Sequence, residues 1–417
     1  MKAGFVTLGC KLNYAETSTW ERALVQHGWE VVPWSSTEAD FYIVNTCSVT
    51  EHSDKKSRNI VRKLHRSCPG ARIIVAGCSA QLRREELQAI EGVDRVFGAT
   101  EKSAVVPYML GKAAGAQEDY FPAFSSGERT RSFLKVQDGC DFKCNYCTVP
   151  YARGSSRNPS IASVVQQARE IASLGIKEVV LTGVNTGDFG RSTGENFLQL
   201  IRALGEVDGI ERWRISSIEP NLLTEEIVDW IACDSKFQPH FHIPLQSGCD
   251  KVLREMGRRY LTDDFASKID YIRNAMEAEG KQKVFFGIDV IAGFPGESED
   301  DFRATYDFLE QRVRPSFIHV FPYSRRPLTP AAQREDQVQD SVKTLRVQAL
   351  EQLSDRLHKD FLQSNAGLRS KVLFETRCLK DEEGRCGDFA CGWSANYIRV
   401  FAPWEEGIIN QIREVTL

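Results

Sequence analysis

A chain of 417 residues, 42% hydrophobic and 26% charged, is longer than one hydrophobic core organises, so two or three domains are expected. A formal net charge of −4 excludes a protein that coats nucleic acid through overall basicity, and leaves room for a local basic face. The chain opens on a strand rather than a basic-then-apolar leader, and no stretch reaches the length of a membrane span. A cytoplasmic protein with no membrane partner is therefore expected, and in that reducing compartment its 12 cysteines read as metal ligands rather than disulfides.

Residues 1–112 alternate short apolar strands (4–8, 41–45, 72–76, 95–97) with amphipathic helices (16–26, 54–66, 81–90, 102–110), the rhythm of an open parallel α/β sheet. Cys10 follows the first strand, Cys47 the second and Cys78 the third. In such a sheet the carboxyl ends of the strands share one edge, so three thiols far apart in sequence can meet there. The plainer reading is three small buried hydrophobes at strand ends, and Cys68 is read that way. Lys55, Lys56, Arg58, Arg62, Lys63 and Arg66 form a helical run without an acid, either a solvated face or one that contacts phosphates. Residues 113–130, with small residues and Pro122, read as a linker.

From 131 to 363 the alternation continues, with strands at 132–136, 178–182, 212–216, 240–244, 283–291 and 317–321 and helices at 161–173, 197–206, 225–232, 263–278 and 300–312; a long helix at 332–363 ends it. Cys140, Cys144 and Cys147 stand as C-x3-C-x2-C after the first strand, and the next cysteine is Cys233. Three thiols without a near fourth fit a [4Fe-4S] cluster with one open iron better than zinc completed by a distant histidine, or thiols clustered without a metal. The later strand ends carry Gly183 and Asn185, Ser217 and Glu219, His242 and Gln246, then Gly293 in a glycine-proline turn. Each is a weak signal alone: the glycines permit close backbone approach and the polar groups offer donors or acceptors to a ligand. His242 reads either as hydrogen-bonded core or as a group that places a ligand. Arg153 and Arg157 are candidates to meet phosphates, and Arg254, Arg258 and Arg259 are either that or solvated surface.

Residues 364–417 hold strand-like runs at 370–376, 389–397, 398–400 and 407–415. Seven basic residues face eight acidic ones between Ala366 and Leu417, so an RNA contact there needs a local face such as Arg369, Lys371, Arg377 and Arg399. Cys378, Cys386 and Cys391 raise the option of a third metal site.

C-x3-C-x2-C after a first strand resembles the radical S-adenosylmethionine superfamily, and the run from Gln137 to Gly154, with Pro150-Tyr151-Ala152-Arg153-Gly154, resembles its methylthiotransferase subfamily. Thr7-Leu8-Gly9-Cys10-Lys11-Leu12-Asn13, Val44-Asn45-Thr46-Cys47 and Val75-Ala76-Gly77-Cys78 resemble that subfamily's N-terminal domain. The resemblance implies three units: the N-terminal sheet domain, a partial (β/α)6 barrel and a small C-terminal β-barrel of the TRAM type that binds RNA. It implies two [4Fe-4S] clusters, one on Cys140, Cys144 and Cys147 and one on Cys10, Cys47 and Cys78. It also implies S-adenosyl-L-methionine held by Gly183, Asn185, Ser217, Glu219, Gln246 and Gly293. Pro322-Tyr323-Ser324-Arg325-Arg326-Pro327-Leu328-Thr329-Pro330-Ala331 departs from the family's last-strand motif, which usually has glycine where Leu328 stands.

In that family the first cluster cleaves the sulfonium to give a 5'-deoxyadenosyl radical that removes hydrogen from carbon, and the second carries the sulfur to be methylated and inserted. The partners implied are transfer RNA at position 37 of the anticodon stem-loop, a sulfur source and an electron donor such as flavodoxin or ferredoxin. Gly9-Cys10-Lys11-Leu12-Asn13 and the run Val136 to Cys144 look most like the branch acting on N6-threonylcarbamoyladenosine. The branch acting on N6-isopentenyladenosine usually has Gln-Met-Asn in the first motif, and a third branch modifies an aspartate of ribosomal protein S12. A non-catalytic iron-sulfur RNA-binding or sulfur-carrier protein is the alternative outside enzymes.

Overall fold

The computed structural model describes residues 1–113, 120–127, 130–234, 236–278 and 280–417. The N-terminal unit is a five-stranded parallel sheet of β1 (Lys2–Thr7), β2 (Glu30–Val32), β3 (Phe41–Thr46), β4 (Arg72–Gly77) and β5 (Val93–Phe97), in the order β2-β1-β3-β4-β5. β3 is buried along its whole length, so Phe41-Tyr42-Ile43-Val44 reads as one apolar run rather than an alternation. β2 has no counterpart among the expected strands. It lies at an edge with Glu30 and Val31 exposed, and a short half-exposed strand carries no apolar pattern. With β2 at the edge, the strands that lead into Cys10, Cys47 and Cys78 are β1, β3 and β4, three neighbours in the sheet.

The helix expected at 16–26 starts earlier, as Lys11–Gln26, with Cys10 at its N-cap. That expected at 54–66 is Glu51–Ser67, capped by Thr50, whose Oγ1 accepts the Ser53 N–H at 3.2 Å. The one expected at 81–90 is broken at Arg83 into Cys78–Leu82 and Arg84–Gln88. Residues 114–119 and 128–129 of the expected linker lie outside the described residues. Between them the backbone of Ala123 and Ser125 pairs antiparallel with Lys135 and Phe133.

The central unit has two parallel halves. β6 (Arg131–Lys135), β7 (Glu178–Thr182) and β8 (Arg212–Ile215) form one; β9 (His240–Gln246), β10 (Phe285–Ala292) and β11 (Phe317–Pro322) form the other. Isolated parallel bridges Trp213–Phe237 and Ser217–His242 join β8 to β9, giving six strands in chain order round an open barrel. Along β9 and β10 the side-chain period of two sorts the residues. Phe241, Ile243, Phe286, Ile288 and Val290 pack in the main hydrophobic core, while His240, His242, Phe285 and Gly287 line the interior. The closing helix runs Asp340–Asn365, later than expected, because Pro330–Gln333 forms a separate 3-10 turn.

The C-terminal unit is an antiparallel sheet of β12 (Arg369–Lys380), β13 (Cys386–Ser394), β14 (Arg399–Pro403) and β15 (Ile412–Thr416), in the order β14-β13-β12-β15. It docks on the barrel through buried guanidinium groups. Arg212 donates to the carbonyls of Trp393 (3.1 Å) and Ser394 (2.9 Å), and Arg214 to those of Ser394 (2.7 Å) and Ala395 (2.8 Å). Both pair with the buried Glu178, at 2.7 and 2.8 Å. These side chains donate to carbonyls at the end of β13 and in the turn that follows it. The two arginines hold the Glu178 carboxyl down to about 2, from an ordinary 4.5, against the upward push of its burial. Because its folded value is depressed, its contribution of roughly 3 kcal/mol is complete above pH 4.5 and is lost as the pH falls towards 2. Glu178→Gln leaves two buried cations without a counter-charge and is expected to lower stability by about 3–5 kcal/mol. Urea unfolding at neutral pH checks this, and the difference from the unsubstituted protein should shrink as the pH drops through the same window.

Candidate active site

Each N-terminal thiol is positioned by a strand end and a shared amide network. Asn13 Nδ2 donates to the carbonyls of Leu8 (2.7 Å) and Thr46 (3.0 Å), and Asn45 Nδ2 to Asn13 O (3.0 Å). Thr46 Oγ1 donates to Ala76 O (2.7 Å) and accepts from Ala80 N (3.2 Å). Loops bearing Cys10, Cys47 and Cys78 are thus tied to one another through buried polar groups, which the low dielectric makes costly to leave unpaired. Gly9 has φ +94°, and a Cβ there would lie 2.5 Å from Cys47 Cβ and 2.7 Å from its Sγ. Only glycine lets the Cys10 loop approach Cys47 this closely.

The second set is held by its own loop. Cys140 Sγ accepts the Phe142 N–H at 3.3 Å and Cys147 Sγ the Val149 N–H at 3.4 Å, while Arg258 Nη1 lies 3.2 Å from Cys144 Sγ. Burial pushes the Cys47 and Cys147 thiols up to about 12 and Cys140 to about 11, reinforced by the neighbouring thiols. Such sulfurs keep their protons near neutrality until a bound cation displaces them. Three sulfurs in each set, with N–H and guanidinium donors turned on the second, suit thiolate ligation of a [4Fe-4S] cluster.

What brings the sets together is a buried ion cluster between the domains. Glu16, on the helix after Cys10, meets Lys102 and, at 2.8 Å, Lys135 of β6. Asp138, just before Cys140, meets Lys135 (2.7 Å), Arg153 (2.9 Å) and Arg157 (3.2 Å). Arg153 Nη2 also donates to Asn13 Oδ1 at 2.7 Å. Here two carboxylates face four cations. The surplus positive charge lies near Cys10 and Cys78, both of which interact with Arg153. A second tie joins the Cys47 loop to the last-strand loop: Arg326 donates to Ser48 Oγ (2.9 Å) and Asp54 Oδ2 (2.6 Å).

The strand-end residues gather unevenly. Gly183 and Ser217 line a cavity of about 870 Å³ that also reaches Cys10 and Lys11. Gln246, with φ +72°, lines an adjoining cavity of about 240 Å³ with Cys147 and Asp289. Asn185 is buried with neither side-chain polar atom hydrogen-bonded among the described residues, as expected of a group that awaits a ligand. Gln137 Oε1 fixes its loop by accepting the N–H groups of Val184 (3.0 Å) and Asn185 (2.9 Å). Glu219 is already paired with Arg258. Gly293 lines neither cavity: it holds a turn at φ +77°, its N–H donating to Glu297 at 2.7 Å, with the Lys343 stem packed over it.

Two family models match the chain: that described as Uncharacterized protein family UPF0004 over residues 2–98, and the Radical SAM superfamily over residues 134–309. The threonylcarbamoyladenosine tRNA methylthiotransferase MtaB of Bacillus subtilis is 37% identical over 99% of this chain and 93% of its own length. That of Aquifex aeolicus is 36% identical over 91% and 95%. The chain belongs to the radical S-adenosylmethionine methylthiotransferases. The fold is also that of the radical S-adenosylmethionine methyltransferase TsrM of Kitasatospora setae, solved with cobalamin and a [4Fe-4S] cluster bound. The TM-score is 0.58 at 15% identity, covering 79% of this chain and 77% of that one.

As a methylthiotransferase the chain departs from several sequence expectations. Arg153 and Arg157 are spent on the ion cluster rather than free for phosphates. Arg258 is buried against Cys144 and Glu219, Arg259 stacks on Phe142 at 3.8 Å, and Arg254 is exposed beside Asp250. His242 combines both readings, bonded through Nε2 to Asp289 at 2.7 Å while lining the cavity. Arg377 is locked to Asp388 by two bonds of 2.6 Å, and Arg399 donates to Cys391 Sγ at 3.0 Å, which removes both from a free basic face. Leu328 takes no left-handed backbone; Thr329 closes the turn by donating its N–H (3.0 Å) and hydroxyl (2.8 Å) to Arg326 O.

The sequence reading missed Glu16, Lys102, Lys135, Asp289 and His319. Asp289 left a signal, a carboxylate inside the apolar run Phe285–Ala292; the others lie in stretches that read as ordinary helix or strand. Gly9→Ala is expected to displace Cys47 and to strip iron and acid-labile sulfide from the N-terminal site while sparing the other. Iron and sulfide analysis of anaerobically reconstituted protein, set beside Cys144→Ala, checks it.

Proposed function

We propose that this chain transfers a methylthio group to C2 of N6-threonylcarbamoyladenosine at position 37 of transfer RNA. The observation that carries the reading is that Cys10 of one domain and the strand-end residues Gly183 and Ser217 of the other line a single cavity. Activation of a carbon and delivery of sulfur to it then share one space. Both cited relatives bear the threonylcarbamoyladenosine name, and Lys11-Leu12-Asn13 after Cys10 agrees with that branch.

In this reading Cys140, Cys144 and Cys147 hold one [4Fe-4S] cluster and Cys10, Cys47 and Cys78 the other. Gly183, Asn185, Ser217, Glu219 and Gln246 surround S-adenosyl-L-methionine, and Gly293 supports the turn beside them. When bound, cluster and cofactor supply reductive cleavage of the sulfonium and hydrogen abstraction from carbon. The chain's own residues do the rest. Gln137 fixes the Asn185 loop against the cluster loop, and Arg258 steadies Cys144 and Glu219 together.

Lys55, Lys56, Arg62 and Arg66 are exposed along the helix Glu51–Ser67, whose first residue bonds Ser324 beside the smaller cavity. This face suits the phosphates of the anticodon stem-loop, with the C-terminal sheet as the TRAM-like support. A flavodoxin or ferredoxin is the class of electron donor, and a separate protein or sulfide supplies sulfur. No helix among the described residues is long and apolar enough to cross a membrane, in keeping with a cytoplasmic site of action.

Two measurements test the reading. Transfer RNA nucleosides from a deletion strain should lack 2-methylthio-N6-threonylcarbamoyladenosine by mass spectrometry, and a normal level rejects it. Purified Cys144→Ala protein should keep its N-terminal cluster and yield no 5'-deoxyadenosine with reductant and S-adenosylmethionine; persistent cleavage overturns the assignment of that loop.

A further inference from the structure

The larger cavity, which Cys10 lines, carries an ammonium with no carboxylate bonded to it among the described residues. Lys11 follows Cys10 and lines the cavity, and its Nζ makes no hydrogen bond or salt bridge with any described residue. The charged groups around it are committed elsewhere. Asp289 is held by His242 at 2.7 Å. Arg131 and Arg214, which share an adjoining pocket of about 350 Å³ with Lys11, are held by Glu375 (2.5 Å) and Glu178 (2.8 Å) respectively. Arg399 lies on Cys391, and Glu382 stands on the exposed hairpin at the rim. The nearer walls are aromatic or imidazole, among them Phe285, Phe317, His240 and His319. Lys11 is exposed on the cavity wall, and an ammonium with no carboxylate of the protein bonded to it is free to pair with an anion that enters the cavity.

We infer that Lys11 reads the substrate's carboxylate: the threonyl carboxylate of N6-threonylcarbamoyladenosine pairs with Lys11 Nζ, and this pair separates that nucleoside from modified adenosines whose N6 substituent is uncharged. The inference rests on the substrate proposed above. Its chemistry is direct, since the threonylcarbamoyl group ends in a carboxylate and an isopentenyl group ends in hydrocarbon, which cannot pair with an ammonium. A wall residue adjacent to Cys10 is well placed for the task, because the carboxylate it holds fixes the base in the same cavity that the cysteine lines.

The test compares anticodon stem-loop RNA carrying N6-threonylcarbamoyladenosine with the same RNA carrying its threonine amide, which removes the charge and keeps the shape. The unsubstituted protein should favour the carboxylate by about 10- to 100-fold in KM. Lys11→Gln should raise KM for the carboxylate by a similar factor and erase the preference, and Lys11→Arg should restore part of it. Iron and sulfide content equal to that of the parent shows that Lys11→Gln still folds and loads its clusters, and direct binding of the two RNAs reads the same difference if turnover is lost. A Lys11→Gln protein that keeps the preference overturns the inference. So does one that slows both RNAs equally, because Lys11 then serves sulfur delivery. If the unsubstituted protein modifies neither RNA, the substrate reading itself falls, and this control separates that failure from the others.

Discussion

The arrangement depends on the ion cluster buried between the first two domains. Glu16 and Lys102 come from the N-terminal sheet domain, and Lys135, Asp138 and Arg153 come from the strand and loops around Cys140, Cys144 and Cys147. Isolated charges of this kind are costly to bury; Glu16 and Asp138 each have a cation of their own domain, and the ties across the boundary run from Lys135 and Arg153 to Glu16 and from Arg153 to Asn13. The domains therefore have a strong electrostatic reason to meet in one register, which brings Cys10 to the cavity that Gly183 and Ser217 line. The surplus of cations over carboxylates near Cys10 and Cys78 has a second effect, since it favours the negative charge that thiolates acquire on binding metal.

Around this junction the barrel supplies space rather than reactivity. The two-residue period of β9 and β10 sends Phe241, Ile243, Phe286, Ile288 and Val290 outward to the helices and leaves His240, His242, Phe285 and Gly287 inward. The interior therefore offers polar atoms to a substrate without a continuous hydrophobic filling. The arginines that dock the C-terminal sheet enter from β8, so that sheet and the barrel are held together through the same carboxylate, Glu178.

The parts legible in the sequence are those with a local cause. Apolar runs ending in Cys10, Cys47 and Cys78 gave a sheet with one chemical edge, and the C-x3-C-x2-C loop gave a second site, because strand period and thiol spacing are properties of a few adjacent residues. β2 escaped because an edge strand needs no apolar pattern. Helix starts were placed late at Lys11 and Glu51, where polar first turns precede the periodic face. Arg153 reads in sequence as a phosphate contact, and Arg258 as that or solvated surface, since a guanidinium looks the same in sequence whether it meets water, phosphate or a buried carboxylate.

By itself, then, the sequence determined the elements, their order, the two cysteine sets and the family chemistry those sets imply. The tertiary structure alone decided which side of each strand faces the chamber, that Glu219 is spent on Arg258 while Asn185 remains unpaired among the described residues, and that the exposed Lys11 lines the cavity. The physical reason is that burial and pairing are relations between distant residues. Glu16 and Asp138 lie in different domains, far apart in the chain, and only folding makes them answer the same lysine.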